Sequence, residues 1–97
     1  MIIRIVKMTF KPEKVNEFLT IFDESKQLIR AMPGCTHLEL LNDLKEPNIF
    51  FTYSYWNSEN ELNNYRNSDL FLTVWKKTKA LFIAKAEAWS VEQKTVL

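Results

Sequence analysis

Glycine is almost missing from this 97-residue sequence, with Gly34 the single one. A chain with one glycine cannot build the Gly-rich loops that cradle a dinucleotide or a nucleoside triphosphate. Cysteine and histidine are equally scarce. Cys35 has no partner for an internal disulfide, and with His37 as the only histidine there is no Cys/His spacing of the metal-binding kind. Neither a nucleotide cofactor held by such a loop nor a metal cluster is therefore expected. Charge of one sign is lacking too. The 13 Lys and Arg against 12 Asp and Glu leave a net +1, spread along the chain. That balance gives no electrostatic footprint for nucleic acid and no basic stripe for an anionic membrane. Long apolar runs are also absent. Arg4 and Lys7 interrupt the N-terminal one, so it reads as neither a signal-peptide core nor a membrane span. A reducing cytoplasm is the expected location.

What is present is ordinary globular material. The sequence is 46% hydrophobic and 26% charged, which argues for one folded domain over residues 1–97 with a modest core. The stretch Asn48 to Trp56, Asn-Ile-Phe-Phe-Thr-Tyr-Ser-Tyr-Trp, organises the rest. Its aromatic and β-branched content predicts a central strand. Ile49, Phe51, Tyr53 and Tyr55 fall on one face, and Phe50, Thr52, Ser54 and Trp56 on the other. Both faces carry large apolar groups, so both need cover. Helices supply one layer, and a second copy of the chain is expected to supply the other.

Met1 to Phe10 predicts the first strand. Ile2, Val6, Met8 and Phe10 share a face with Arg4, and Ile3 and Ile5 lie opposite with Lys7 and Thr9. A charge on an apolar face needs a partner or an edge, so a rim or interface salt bridge is expected for Arg4. Lys11-Pro12-Glu13-Lys14 turns into a helix whose stripe is Val15, Phe18, Leu19, Phe22, Ser25 and Ile29. Pro33 and Gly34 end it. Cys35 to Asn42 alternates as a second strand, with Leu38 and Leu40 on one face and Cys35, His37, Glu39 and Leu41 on the other. A polar turn through Asp43 and Pro47 makes a hairpin into the central strand. Ser58 with Glu61 is a capping box, Ser68 is a second cap, and a broken pair of helices is predicted. Leu81 to Lys85 is ambiguous between helix end and loop. Ala86 to Val91 predicts the last strand.

The order strand, helix, strand, strand, helix pair, strand is the ferredoxin-like βαββαβ plan: an α+β fold with helices on one face of an antiparallel sheet. The chain resembles the antibiotic biosynthesis monooxygenase family of dimeric α/β barrels. Its first strand running into Lys-Pro-Glu-Lys, its Met-Pro-Gly-Cys break, its Tyr-Trp-x-Ser-x-x-x-Leu passage (Tyr55 to Leu62) and its Tyr-x-x-Ser-x-Leu-Phe segment (Tyr65 to Phe71) carry the likeness. The resemblance implies a homodimer packed through open sheet faces, often with exchanged C-terminal segments. It also implies oxygenation of a phenol or quinol with O2 and without metal or flavin. A sister family degrades haem through an iron-ligating histidine, a Trp three helical turns earlier and an Asn on the first strand. Here those positions fall near Trp75 and on Tyr65, and the first strand has no Asn. Haem degradation is not expected.

Flat-ring chemistry needs aromatic walls and a few placed hydrogen-bonding groups. Tyr53, Trp56, Tyr65 and Trp75 are the expected substrate-binding residues. His37, whose ordinary pKa lies near neutrality, is the candidate general base for a quinol; as a plain strand residue it would sit at the sheet surface or dimer interface. The two strand-three parities mean that Tyr53 and Trp56 belong to different cavities, and which faces the helices is open from sequence. The expected function is a cofactor-independent monooxygenase on a small aromatic molecule. A non-catalytic small-ligand binder and an isomerase of the same fold are the alternatives.

Overall fold

A computed structural model describes all 97 residues. Strand β1 (Ile2–Thr9) leads through a 3-10 turn (Pro12–Lys14) into α1 (Val15–Arg30). Strands β2 (Cys35–Asn42) and β3 (Ile49–Trp56) form the hairpin, α2 (Glu59–Arg66) and α3 (Asp69–Lys79) follow, and β4 (Glu87–Val91) closes the chain. The sheet has four antiparallel strands in the order β2-β3-β1-β4 and is not closed into a barrel. This is the ferredoxin-like α+β plan expected from the element order.

The helices lie on one face, and the main core sits under α1. Phe10, fully buried, stacks on Phe18 with ring centroids 4.1 Å apart, and Phe50, Met8 and Leu81 complete the cluster. Burying each such ring contributes about 1.5–3 kcal/mol. Leu19, expected on the inward stripe of α1, is 37% exposed; Phe18, Ser25 and Ile29 are the residues that α1 buries. Ser25 tolerates burial because its hydroxyl donates to the Ile21 carbonyl at 2.8 Å. The ambiguous Leu81 to Lys85 stretch is a crossing that binds back to β1. Lys11 donates to the Leu81 carbonyl, and Ile83 to the Thr9 carbonyl.

One strand parity differs from the alternation in the sequence. Pairing shifts between Cys35 and His37, a β-bulge at the start of β2. The extra residue turns Cys35 to the helix side, where it packs with Trp56 and Leu62, while His37 stays on the opposite face.

The helix pair is broken as its caps predict. Ser58 Oγ accepts from the Glu61 backbone N–H at 3.2 Å. Ser68 Oγ accepts from Phe71 N–H at 3.1 Å and donates to the Tyr65 carbonyl at 2.6 Å, so one hydroxyl ends α2 and starts α3. Each cap is worth about 1 kcal/mol. Gly34 has φ 87°, and a Cβ there would overlap the Glu61 side chain, so the single glycine serves both the left-handed turn and the close approach of α2.

Candidate functional site

The cross-strand rows on the helix side of the sheet explain where a site can form. One row reads Leu38, Ser54, Arg4, Ser90, and the next reads Leu40, Thr52, Val6, Ala88. The floor therefore has small side chains at Ser54, Thr52 and Ala88, while α1, α2 and α3 pass above it. The result is a cavity of about 360 Å³, at the small end of the range for ligand sites. Met8, Phe18, Phe22, Val74 and Ala86 are among its apolar walls.

The aromatic wall is continuous. Trp56 stacks on Tyr65 with centroids 4.9 Å apart and planes 19° apart. Tyr65 meets Phe71 edge-on at 5.2 Å, and Phe71 lies nearly parallel to Trp75 at 5.8 Å. Offset and edge-on contacts of this kind add about 0.5–1.5 kcal/mol per pair beyond burial. Trp56 is only 1% exposed, and its indole N–H donates to Ser54 Oγ at 3.0 Å. That bond locks the ring as the end wall of the cavity. Burial pushes the Tyr65 phenol pKa well up, with a smaller contribution from Cys35. Tyr65 is thus a neutral donor over the ordinary pH range and no base. Burial likewise raises the Cys35 thiol, which outweighs the lowering by the His37 backbone hydrogen bond and by Arg30, and keeps the sulfur protonated and unreactive.

Of the four aromatic residues expected to bind substrate, Trp56, Tyr65 and Trp75 line this cavity together. Tyr53 does not. It lies on the opposite face of β3, in a row with Glu39, Ile5 and Trp89. His37 is on that face as well, beside Tyr55 with centroids 4.7 Å apart. Glu39 Oε2 accepts from His37 Nε2 at 2.5 Å, and the two side chains are 43% and 40% exposed. The sheet itself separates His37 from the cavity. No three His, Cys, Asp or Glu side chains converge anywhere in the chain.

Two residues on the cavity do not follow from the aromatic pattern. Arg4 forms part of the floor, and Arg66, from the end of α2, stands at its edge. Arg4 was expected in a rim or interface salt bridge. Within the chain it makes no ion pair: its guanidinium Nη1 donates to Ser90 Oγ at 3.0 Å, and the chain's ion pairs lie elsewhere. The signal for Arg4 in the sequence is its parity with Val6 and Met8. Arg66, the residue after Tyr65, gives no such sign.

A family model for antibiotic biosynthesis monooxygenase matches residues 1–77. The chain belongs to that family. A crystal structure of an antibiotic biosynthesis monooxygenase superposes with a TM-score of 0.92 at 20% identity, covering 98% of this chain and 100% of its own. A conserved protein from Methanosarcina mazei Go1 superposes with a TM-score of 0.90 at 25% identity, over 97% and 94% of the two chains. SnoaB, a cofactor-independent oxygenase from Streptomyces nogalater, does so with a TM-score of 0.87 at 17% identity, over 99% and 95%. The likeness to the monooxygenase and to SnoaB is one of fold. No curated protein sequence matches the chain.

Proposed function

We propose that this family member is a monooxygenase that oxidises a small aromatic or quinol-like molecule with O2, without flavin or metal, in the cavity beneath α2 and α3. The observation that carries the proposal is the hollow floored by Ser54, Thr52 and Ala88 and walled by the Trp56–Tyr65–Phe71–Trp75 rings. A flat electron-rich ring fits between such walls, and burial there excludes water from its reaction. The substrate supplies the electrons. An ionised phenol passes an electron to O2, and the two radicals combine at a ring carbon. One oxygen atom becomes a new carbonyl. The other leaves as water with the hydrogen of that carbon and the phenolic hydrogen, so atoms and electrons balance. Tyr65, held neutral, donates a hydrogen bond to oxygen that gains charge along this path. Among these steps a general-base role for His37 is the least supported, because it sits across the sheet from the cavity.

The open face supports a homodimer. Leu41, Trp89 and Val91 are 42%, 45% and 41% exposed there, beside Ile5, Phe51, Tyr53 and Tyr55. An apolar sheet face of that extent marks an interaction surface, and a second copy with the same face would turn the open sheet into the barrel. A single buried free thiol suits a cytoplasmic protein.

Oxygen uptake with a panel of quinols and polycyclic phenols, read beside thermal shift by the same compounds, tests the activity. Uptake with one labelled oxygen atom from O2 in the product is the expected result. Stabilisation without uptake makes the cavity a binding site without turnover, and turnover that produces an isomer without consuming O2 makes it an isomerase.

A further inference from the structure

The cavity bears two positive charges and no negative one. Its lining residues include Arg4 and Arg66 and not a single Asp, Glu or His. No carboxylate pairs with either guanidinium. Arg4 has one hydrogen bond, to the neutral Ser90 hydroxyl, out of the five N–H donors of a guanidinium. The Ser54 hydroxyl next to it in the row is already engaged by the Trp56 indole. Arg4 is half-buried on β1, an inner strand of the sheet, where a bare charge is costly. Burial lowers its pKa, and the nearby Arg66 charge lowers it further, so the two guanidiniums repel each other across the same space. No acidic side chain lines the space to offset this repulsion. An anion placed between them would offset it.

We propose that Arg4 and Arg66 form an anion clamp, and that the cavity takes a flat aromatic acid already ionised at neutral pH: a ring bearing a carboxylate, or a hydroxyl acidic enough to be an enolate. The planar fork of a guanidinium matches either group, and most closely a carboxylate. The ring then lies against Trp56, Tyr65, Phe71 and Trp75, with its anionic oxygen toward Arg4. A substrate of this kind also removes the need for a base, which no lining residue offers. The inference rests on the monooxygenase reading only in calling the bound acid a substrate; the clamp itself is a matter of binding.

Binding without turnover therefore tests it. Under argon, quenching of tryptophan fluorescence is titrated with a hydroxynaphthoate, its methyl ester and an acidic hydroxynaphthoquinone. The wild type is expected to bind the two anions at least tenfold more tightly than the ester. Arg4→Gln and Arg66→Gln are each expected to erase at least tenfold of the acid's affinity and to leave that for the ester within threefold. Arg4→Lys, which keeps the charge, is expected to restore part of it. If only the carboxylate gains from the arginines, the clamp is a carboxylate site; if only the quinone gains, it is an enolate site. Equal affinity for acid and ester, unchanged binding of both anions in the two Gln variants, or no binding of any probe overturns the clamp. Circular dichroism and a thermal melt show that each variant is folded, and the exposed Arg66 gives a variant whose loss leaves the fold intact even if Arg4→Gln does not. Tight acid binding with no oxygen uptake by any bound acid upholds the clamp and removes the monooxygenase reading, so the two fail separately.

Discussion

The two faces of strand β3 both carry large apolar groups and end in opposite conditions. On the helix side, Phe50, Ser54 and Trp56 are buried, with 5%, 7% and 1% of their surface exposed. On the other, Ile49, Phe51, Tyr53 and Tyr55 are only partly covered. The difference lies in where the large groups stand. The helix side has its bulk at the ends, Phe50 and Trp56, and small residues between them, so the helices span a gap. The open side is bulky along its whole length, with His37, Tyr55, Ile3, Val91 in one row and Glu39, Tyr53, Ile5, Trp89 in the next. One face is shaped to leave a hole, and the other to be filled by something as flat as itself.

Trp56→Ala should break the helix side hardest. Losing a fully buried Trp costs about 3–5 kcal/mol, much of the stability of a domain this small, and the end wall of the cavity goes with it. A urea titration showing a loss below about 1 kcal/mol would mean that the wall is not structural. Tyr53→Glu attacks the open side alone. Light scattering should report half the mass of the wild type while binding in the cavity survives; an unchanged mass removes this face from the dimer contact. Thr52→Leu fills the hole from its floor. Overpacking costs about 1–3 kcal/mol, and affinity for any aromatic probe should fall more than tenfold, whereas undiminished binding would locate the ligand elsewhere.

Tyr65→Phe tests the burial of the phenol through pH. The folded pKa lies above the unfolded value near 10, so the folded state holds the proton longer. Stability from this group is complete below pH ~10 and falls as pH rises above it, by at most about 1.4 kcal/mol per pH unit. The Phe variant should flatten that alkaline limb; an identical limb would show the hydroxyl to be solvated. His37→Ala carries the smallest expected effect, a change in turnover of less than about threefold, because proton transfer needs hydrogen-bond reach. A hundredfold loss would return the base to the open face and make that face the active one.

The architecture was legible because its signals are local and redundant. Caps at Ser58 and Ser68, the Pro33-Gly34 stop and the alternation in β3 each specify one boundary, and they agree with one another. The division of Tyr53 from Trp56 followed from parity alone. Which side the helices take depends on long-range packing, and parity is silent about it. Two departures have one source each. Cys35 was assigned to the wrong face because a bulge leaves no mark in the hydrophobic pattern. For Arg4 the expected rim or interface salt bridge has no counterpart within the chain, because its neighbours on both adjacent strands are serines.

The shared hydroxyl of Ser68 has a consequence for how this pocket can change. It divides the cavity's roof into two short helices, each with its own cap, joined at a single residue. The α2 half carries Tyr65 and Arg66 and lies against Gly34 through the Glu61 side chain. The α3 half carries Phe71, Val74 and Trp75 and starts at the Ser68 cap. Substitutions at Val74 or Trp75 reshape the α3 half, and the edge-on Tyr65–Phe71 contact carries part of any change into the α2 half. Ring size and charge preference are therefore tied to each other through one aromatic contact, and a change in either is felt at Tyr65.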